Sequence, residues 1–212
     1  MQIDDFLKCV SKLEHCQLPG WSAQSKLSPL HRESMLELNI ETQLKAKKAS
    51  ILMLCYPDFQ GVMHLILIER NTYAGVHSAQ IGFPGGRPES EDTDLQSTAL
   101  REMEEEIGFD RRLVQIIRPL SPIYIPPSQF YVHPFLGYTQ SLGSFSKDDR
   151  EVAQILEIPL KTFMQTQPTH AQVSLPNDLL QVVPVFEWQE HRIWGATAMM
   201  LSELKEILNQ VV

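Results

Sequence analysis

Between positions 82 and 108 the chain sets a run of glycines ahead of a segment with four glutamates in five positions: Glu102, Glu104, Glu105 and Glu106. Thr93-Asp94-Leu95-Gln96 fits a capping box and Gly108 is a favourable left-handed stop, so the spacing predicts a helix over 93–108. Leu95, Ala99, Leu100, Met103 and Ile107 fall on one side of it and require burial. Glu102 and Glu106 stand one turn apart on the other side, with Cβ atoms roughly 6 Å apart, and Glu105 lies beside them. Like charges at this spacing destabilise a helix, and in the local sequence Arg101 alone opposes them. Most helices of such composition are merely solvated faces. Here Gly75, Gly82, Pro84, Gly85 and Gly86 come first, a density of permissive backbone that suits a loop brought close to a ligand. A divalent cation among the carboxylates relieves their repulsion. Mg2+, or Mn2+ in its place, takes oxygen ligands and is commonly completed by substrate phosphates. Such ions neutralise a pyrophosphate and activate a bound water for in-line attack.

The bulk numbers narrow the setting. A length of 212 residues with 43% hydrophobic content supports one sizeable core. A formal charge of -8 and a pI near 5.3 argue against nucleic acid or an anionic membrane as partner, and leave a small anionic substrate reached through metal. Cys9, Cys16 and Cys55 are odd in number and lack the paired spacing of a zinc site, so a reducing compartment is expected. The start, MQIDDFLKCV, carries Asp4 and Asp5 where a secretory signal would be basic, and no apolar run reaches membrane-spanning length. The expectation is a cytoplasmic protein.

Along the chain, Ile3, Phe6, Leu7, Val10 and Leu13 recur at helical spacing and Pro19-Gly20 ends the pattern, which predicts a helix over 3–18. Residues 21–45 read as a connecting segment with a short helix or strand. The apolar runs 49–56 and 62–69 flank a turn at Pro57-Asp58-Phe59-Gln60-Gly61 and predict a hairpin. Further strands are expected over 113–120, 131–139 and 179–188, and helices over 151–156 and 201–211. The whole reads as a mixed α+β domain.

The residues from 86 to 109 resemble the Nudix box: Gly, five residues, Glu, seven residues, then Arg-Glu-apolar-any-Glu-Glu-any-Gly-apolar. Gly86, Arg101, Glu102, Met103, Glu105, Glu106, Gly108 and Phe109 match, while Asp92 replaces the first Glu and stands eight residues before Arg101. Both departures are similar to the coenzyme A pyrophosphatase branch of the family. Upstream, Leu67-Ile68-Glu69-Arg70-Asn71 and His77-Ser78-Ala79-Gln80-Ile81-Gly82-Phe83-Pro84-Gly85-Gly86 resemble that branch's second motif, with Gly75 where it has Arg and Ala79 where it has Gly. Losing that Arg removes a bidentate phosphate contact but no hydrolytic residue. The likeness covers roughly residues 50–200.

The resemblance implies a Nudix fold, a mixed β-sheet sandwiched between helices, with residues 1–45 as a helical extension and 46–212 as the Nudix domain. It implies Glu102 and Glu106 as metal ligands, Glu105 as a third ligand or a close support, and the Gly85 carbonyl as a further one. Arg101 would orient the acids, with Asp92 receiving its salt bridge. Some relatives take their general base from a later loop, where Glu151 is the candidate; in plain structural terms Glu151 is an acid at a helix N-terminus. Arg70 and His77, with Gly85 and Gly86, are the candidate substrate contacts; for Arg70 a rim salt bridge with Glu69, and for His77 a simple hydrogen bond, are the ordinary alternatives. Tyr124 and Phe130 are pocket-lining or core aromatics. The implied reaction splits coenzyme A or its derivatives into 3',5'-ADP and 4'-phosphopantetheine. Alternatives are an ADP-ribose or dinucleotide pyrophosphatase and a non-catalytic nucleotide-sensing module; a homodimer is compatible with each.

Overall fold

A computed structural model describes residues 1–29, 45–71, 80–174 and 180–212. At its centre are the long strands β1 (Lys47–Pro57) and β2 (Met63–Arg70), whose residues are apolar almost throughout because both faces of the sheet are covered. They pair antiparallel, Cys55 opposite Leu65, as the expected hairpin. Asp58 closes the turn by accepting from the backbone N–H groups of Gln60 and Val62 at 2.8 and 2.9 Å.

Two short strands, β3 (Ile81–Gly82) and β4 (Gly85–Gly86), then pair with β2 and β1. After helix α1 (Ile3–His15) and the short α2 (Trp21–Gln24), the acidic helix is α3 (Leu95–Ile107). Strands β5 (Gln115–Pro119), β6 (Ile123–Ile125) and β7 (Phe130–Tyr138) follow, and β7 lies parallel to β1, with Lys47 opposite Phe130. The main sheet runs β3-β2-β1-β7-β5, with β4, β6 and β8 (Val152–Pro159) attached to it. Helix α4 (Leu160–Gln165) leads into an antiparallel sheet of β9 (Thr169–Ser174), β10 (Leu180–Trp188) and β11 (His191–Ile193), and α5 (Gly195–Val211) ends the chain.

Strand alternation divides the core. Leu52, Leu54, Ile66 and Ile68 face α3 and pack on Ala99, Met103 and Ile107. Ile51, Met53, Leu65 and Leu67 face the other way, onto Phe6 and Leu13 of α1 and Leu204 and Ile207 of α5. Helices therefore cover both faces of a mixed sheet, the expected α+β arrangement.

The N-terminal residues are tied to this body. Arg118 donates to the Cys16 carbonyl at 2.6 Å, and Glu203, with no exposed surface, accepts from Gly20 N and Gln24 Nε2 at 3.2 and 3.1 Å. Of the connecting segment 21–45, residues 21–27 form α2 and a 3-10 turn, Ser25–Leu27, while 30–44 lie outside the described residues.

Several expectations need correction. Residues 151–156 are not helical: Val152 opens β8, an extended strand antiparallel to β2 with Leu156 opposite Leu67. Val152, Ile155 and Leu156 have helical spacing, but pairing with β2 decides their form. The acidic helix starts one step later than Thr93, since Asp94 is its N-cap and exchanges hydrogen bonds with Ser97 rather than Gln96. The last helix starts at Gly195, six residues before the expected 201.

Candidate active site

The glycine turn, the acidic helix and the end of β2 meet at one edge of the sheet. Gly85 has φ 154°, and a Cβ there would collide with the Ser50 carbonyl, so the close pairing of β4 with β1 tolerates glycine alone. A Cβ on Gly86 would occupy the place of the Glu102 carboxylate. The two glycines thus let the α3 carboxylates lie directly against backbone. Helix α3 stops at Gly108 with φ 65°.

Glu106 is the most enclosed acid of the site, 2% exposed. Its Oε2 accepts from Gly85 N at 2.7 Å. Its Oε1 is buried and accepts no hydrogen bond, although Arg70 Nη2 lies 3.3 Å away. That nitrogen donates to the Gly85 carbonyl at 2.8 Å while neither of its hydrogens lines up on Oε1, so Arg70 supplies charge to Glu106 without a hydrogen bond. Burial pushes the Glu106 carboxyl up to about 7; the Arg70 charge and the Gly85 N–H oppose this, and the Glu102 and Glu151 charges add to it. Burial likewise raises Glu102, with Arg101 opposing and Glu105 and Glu151 reinforcing.

Arg101 spans the outer side. It donates from Nε and Nη2 to Asp92 at 3.0 and 2.9 Å, from Nη1 to Glu105 at 2.8 Å, and from Nη2 to the Arg87 carbonyl at 2.9 Å; Glu102 Oε1 is 3.1 Å from Nη1. The Arg101 hydrogen bonds are the main reason the Asp92 carboxyl falls to about 2, helped by Glu89 N and the Thr98 hydroxyl.

Glu151 comes to the same place by a different route. The loop before β8 is fastened to the end of α3, Ser146 N donating to Ile107 O at 2.9 Å and Asp148 N to Glu106 O at 3.0 Å. Asn71 N, next to Arg70, donates to the Glu151 carbonyl at 2.9 Å. The charge of Glu151 is accordingly felt at both Glu102 and Glu106.

The geometry therefore gathers Arg70, Gly85, Gly86, Arg101, Glu102, Glu105, Glu106 and Glu151. His77, Gly75 and Ala79 lie outside the described residues. Tyr124 is buried in β6, and Phe130 packs beside the core under the Arg87 guanidinium, 4.8 Å from its ring centre. Sequence reasoning missed the buried Thr98, whose hydroxyl braces Asp92 at 2.9 Å; one residue type on a helix carries no signal of that contact. It also missed the Arg70 contacts, which depend on a register shift between Glu69 and Arg70 that re-aims the strand end.

Among the described residues, no three acidic, histidine or cysteine side chains form a ready-made metal cage. Arginines stand between the carboxylates instead. The donor set nonetheless fits a hard divalent cation: carboxylate oxygens and a backbone carbonyl at the rim of a turn, with one buried carboxylate oxygen that no hydrogen bond satisfies.

Comparison with known proteins defines the class. Residues 46–175 match the family model described as the NUDIX domain. The chain is 30% identical over 163 residues to "Uncharacterized Nudix hydrolase NudL" of Yersinia pestis (strain Pestoides F), covering 76% of this chain and 79% of that one. It is 27% identical over 184 residues to "Nudix hydrolase 15, mitochondrial" of Arabidopsis thaliana, covering 84% of this chain and 62% of that longer protein. The fold is similar to a Nudix hydrolase from M. smegmatis, RenU, with TM-score 0.54, 14% identity, and 79% and 88% of the two chains covered. A MutT/nudix family protein from Enterococcus faecalis gives TM-score 0.50 at 11% identity, covering 89% and 73%. The chain belongs to the Nudix hydrolase family.

Proposed function

We propose that the chain hydrolyses the pyrophosphate bond of a nucleoside diphosphate derivative, and that its substrate is coenzyme A or an oxidised or acylated form, released as 3',5'-ADP and a 4'-phosphopantetheine product. One observation carries the hydrolytic half: Glu106, 2% exposed, sits among the charges of Glu102 and Glu151 with one oxygen lacking a hydrogen bond. Crowded buried carboxylates cost stability unless a cation uses them.

Glu102, Glu106 and the Gly85 carbonyl would hold Mg2+ or Mn2+, with Glu105 a third ligand or a brace. When bound, the ion neutralises the diphosphate and makes a water nucleophilic near neutral pH. Arg101 does not reach for substrate, since its donors serve Asp92, Glu105 and the Arg87 carbonyl; it fixes the carboxylates instead. Glu151 is the candidate base, accepting the proton of the attacking water; its anchored loop and its electrostatic reach to Glu102 and Glu106 support this role. Arg70 and His77 are the candidate phosphate contacts.

The coenzyme A half draws on Phe83-Pro84-Gly85-Gly86 and on the eight-residue spacing, which lets Asp92 fold back onto Arg101. We take residues 1–45 as an extension of a Nudix domain spanning 46–212. Three free cysteines support a reducing compartment such as the cytoplasm, and among the described residues no helix is long and apolar enough to cross a membrane. A homodimer is a further expectation, open to sedimentation analysis.

The test is a panel of coenzyme A, its disulfide and acyl forms, ADP-ribose and dinucleotides, incubated with Mg2+ and resolved by mass. Release of 3',5'-ADP is expected from the coenzyme A compounds. Cleavage confined to ADP-ribose or dinucleotides would remove the substrate assignment, and binding with no cleavage of any compound would make the chain a sensing module. Glu106→Gln should lower kcat at least about a hundredfold; undiminished turnover would end the metal assignment.

A further inference from the structure

We propose that Arg70 is a built-in competitor for the cation, holding the Gly85 carbonyl and the Glu106 carboxylate until a divalent ion takes them over and frees the guanidinium for the substrate. This rests on the reading of Gly85 and Glu106 as cation ligands. The contacts are direct: Arg70 Nη2 donates to the Gly85 carbonyl at 2.8 Å and lies 3.3 Å from Glu106 Oε1. Glu106 Oε2 is meanwhile held by Gly85 N at 2.7 Å, so the carboxylate cannot turn away from the turn that Arg70 grips. A magnesium ion would bind these oxygens directly. Beside it, a guanidinium on the same carbonyl and carboxylate would be a second positive charge at close range, and the two exclude each other.

Arg70 can leave. Its side chain is 25% exposed, and it stands at a bulge on the end of β2, where movement does not open the core. Once displaced it remains at the rim of the site. There its planar fork suits the paired oxygens of a diphosphate. Cation binding therefore precedes, and strengthens, substrate binding.

The experiment measures Mn2+ affinity by calorimetry and Tm in chelator for the full chain and its Arg70→Ala, Arg70→Lys, Glu106→Gln and Arg111→Ala variants. An ionic strength near 0.15 M screens distant charges, the Debye length there being about 8 Å. Arg111, in the turn just past α3, pairs with Glu104 of that helix but does not touch the site oxygens, so its variant reports the general effect of removing a charge. Arg70→Ala should lower Tm in chelator yet bind Mn2+ about tenfold more tightly, the scale of one charge-assisted hydrogen bond. Arg70→Lys keeps the charge without the fork and should gain about threefold, which serves if the alanine variant does not fold. Equal or weaker Mn2+ binding by the Arg70 variants overturns the proposal, as does an equal gain in Arg111→Ala. Mn2+ binding that Glu106→Gln abolishes and Arg70 variants leave unchanged overturns this inference alone. No Mn2+ binding by any of the proteins overturns the cation reading and this inference with it.

Discussion

Arg101 shows how much of the site is fixed by one side chain. Its fork meets Asp92 through two nitrogens while its remaining donors hold Glu105 and the Arg87 carbonyl, a geometry that a lysine point charge does not reproduce. Arg101→Lys should therefore lower kcat about tenfold or more with KM little changed, read by steady-state kinetics at saturating Mg2+. Its partner Asp92 sets a limit at low pH. The folded carboxyl lies at about 2, below its ordinary 3.8, so its ionised form stabilises the fold above pH 3.8, and that contribution is lost as pH falls from 3.8 towards 2. Asp92→Asn should lower Tm at pH 5 and lose less of it than wild type on acidification, which thermal melts from pH 5 to 2 will show.

At the scale of elements, the end of α3 anchors the loop that bears Glu151, the base we propose. Gly108 takes φ 65°, and a Cβ there would stand 2.6 Å from the Ser146 carbonyl, at the root of the loop that bears Glu151. Gly108→Ala should cost roughly 1–3 kcal/mol of stability and also reduce kcat, because relief of the clash shifts residues 146–151. Retention of full kcat despite lowered stability would separate that loop from the chemistry. The elements legible in the sequence are those with local rules. Helix α3 had its apolar stripe and its glycine stop, and the β1–β2 hairpin had Asp58 and Gly61 at its turn. The acids of the site were legible for the same reason, because Glu102 and Glu106 are one helical turn apart. What could not be read depends on distant partners: β8 becomes extended against β2, and Arg70 finds Gly85 and Glu106 through a strand irregularity. The N-cap fell on Asp94 because its carboxylate accepts from Ser97 N at 2.7 Å, a choice between neighbouring capping residues that sequence leaves open.

For the molecule as a whole, the N-terminal residues are held by a buried carboxyl group. Glu203, on α5, receives Gly20 N and Gln24 Nε2, while Ser202 donates to the Ala23 carbonyl at 2.8 Å. Glu203→Ala strands these donors in the interior and should cost about 2–3 kcal/mol, a fall in Tm of roughly 4–12 °C for a chain of this size. Because this network lies apart from α3, kcat below the transition should be unchanged; a parallel loss of activity would mean that the N-terminal docking reaches the site. The parallel pairing of β1 with β7 has its own consequence. During synthesis, β1 leaves the ribosome with one edge open until Phe130–Tyr138 has followed, long after the hairpin and the acidic helix have appeared. A nascent chain stopped short of that strand would carry every glutamate of α3 and the hairpin it packs on, and still lack β7 and β8, which complete the sheet on either side.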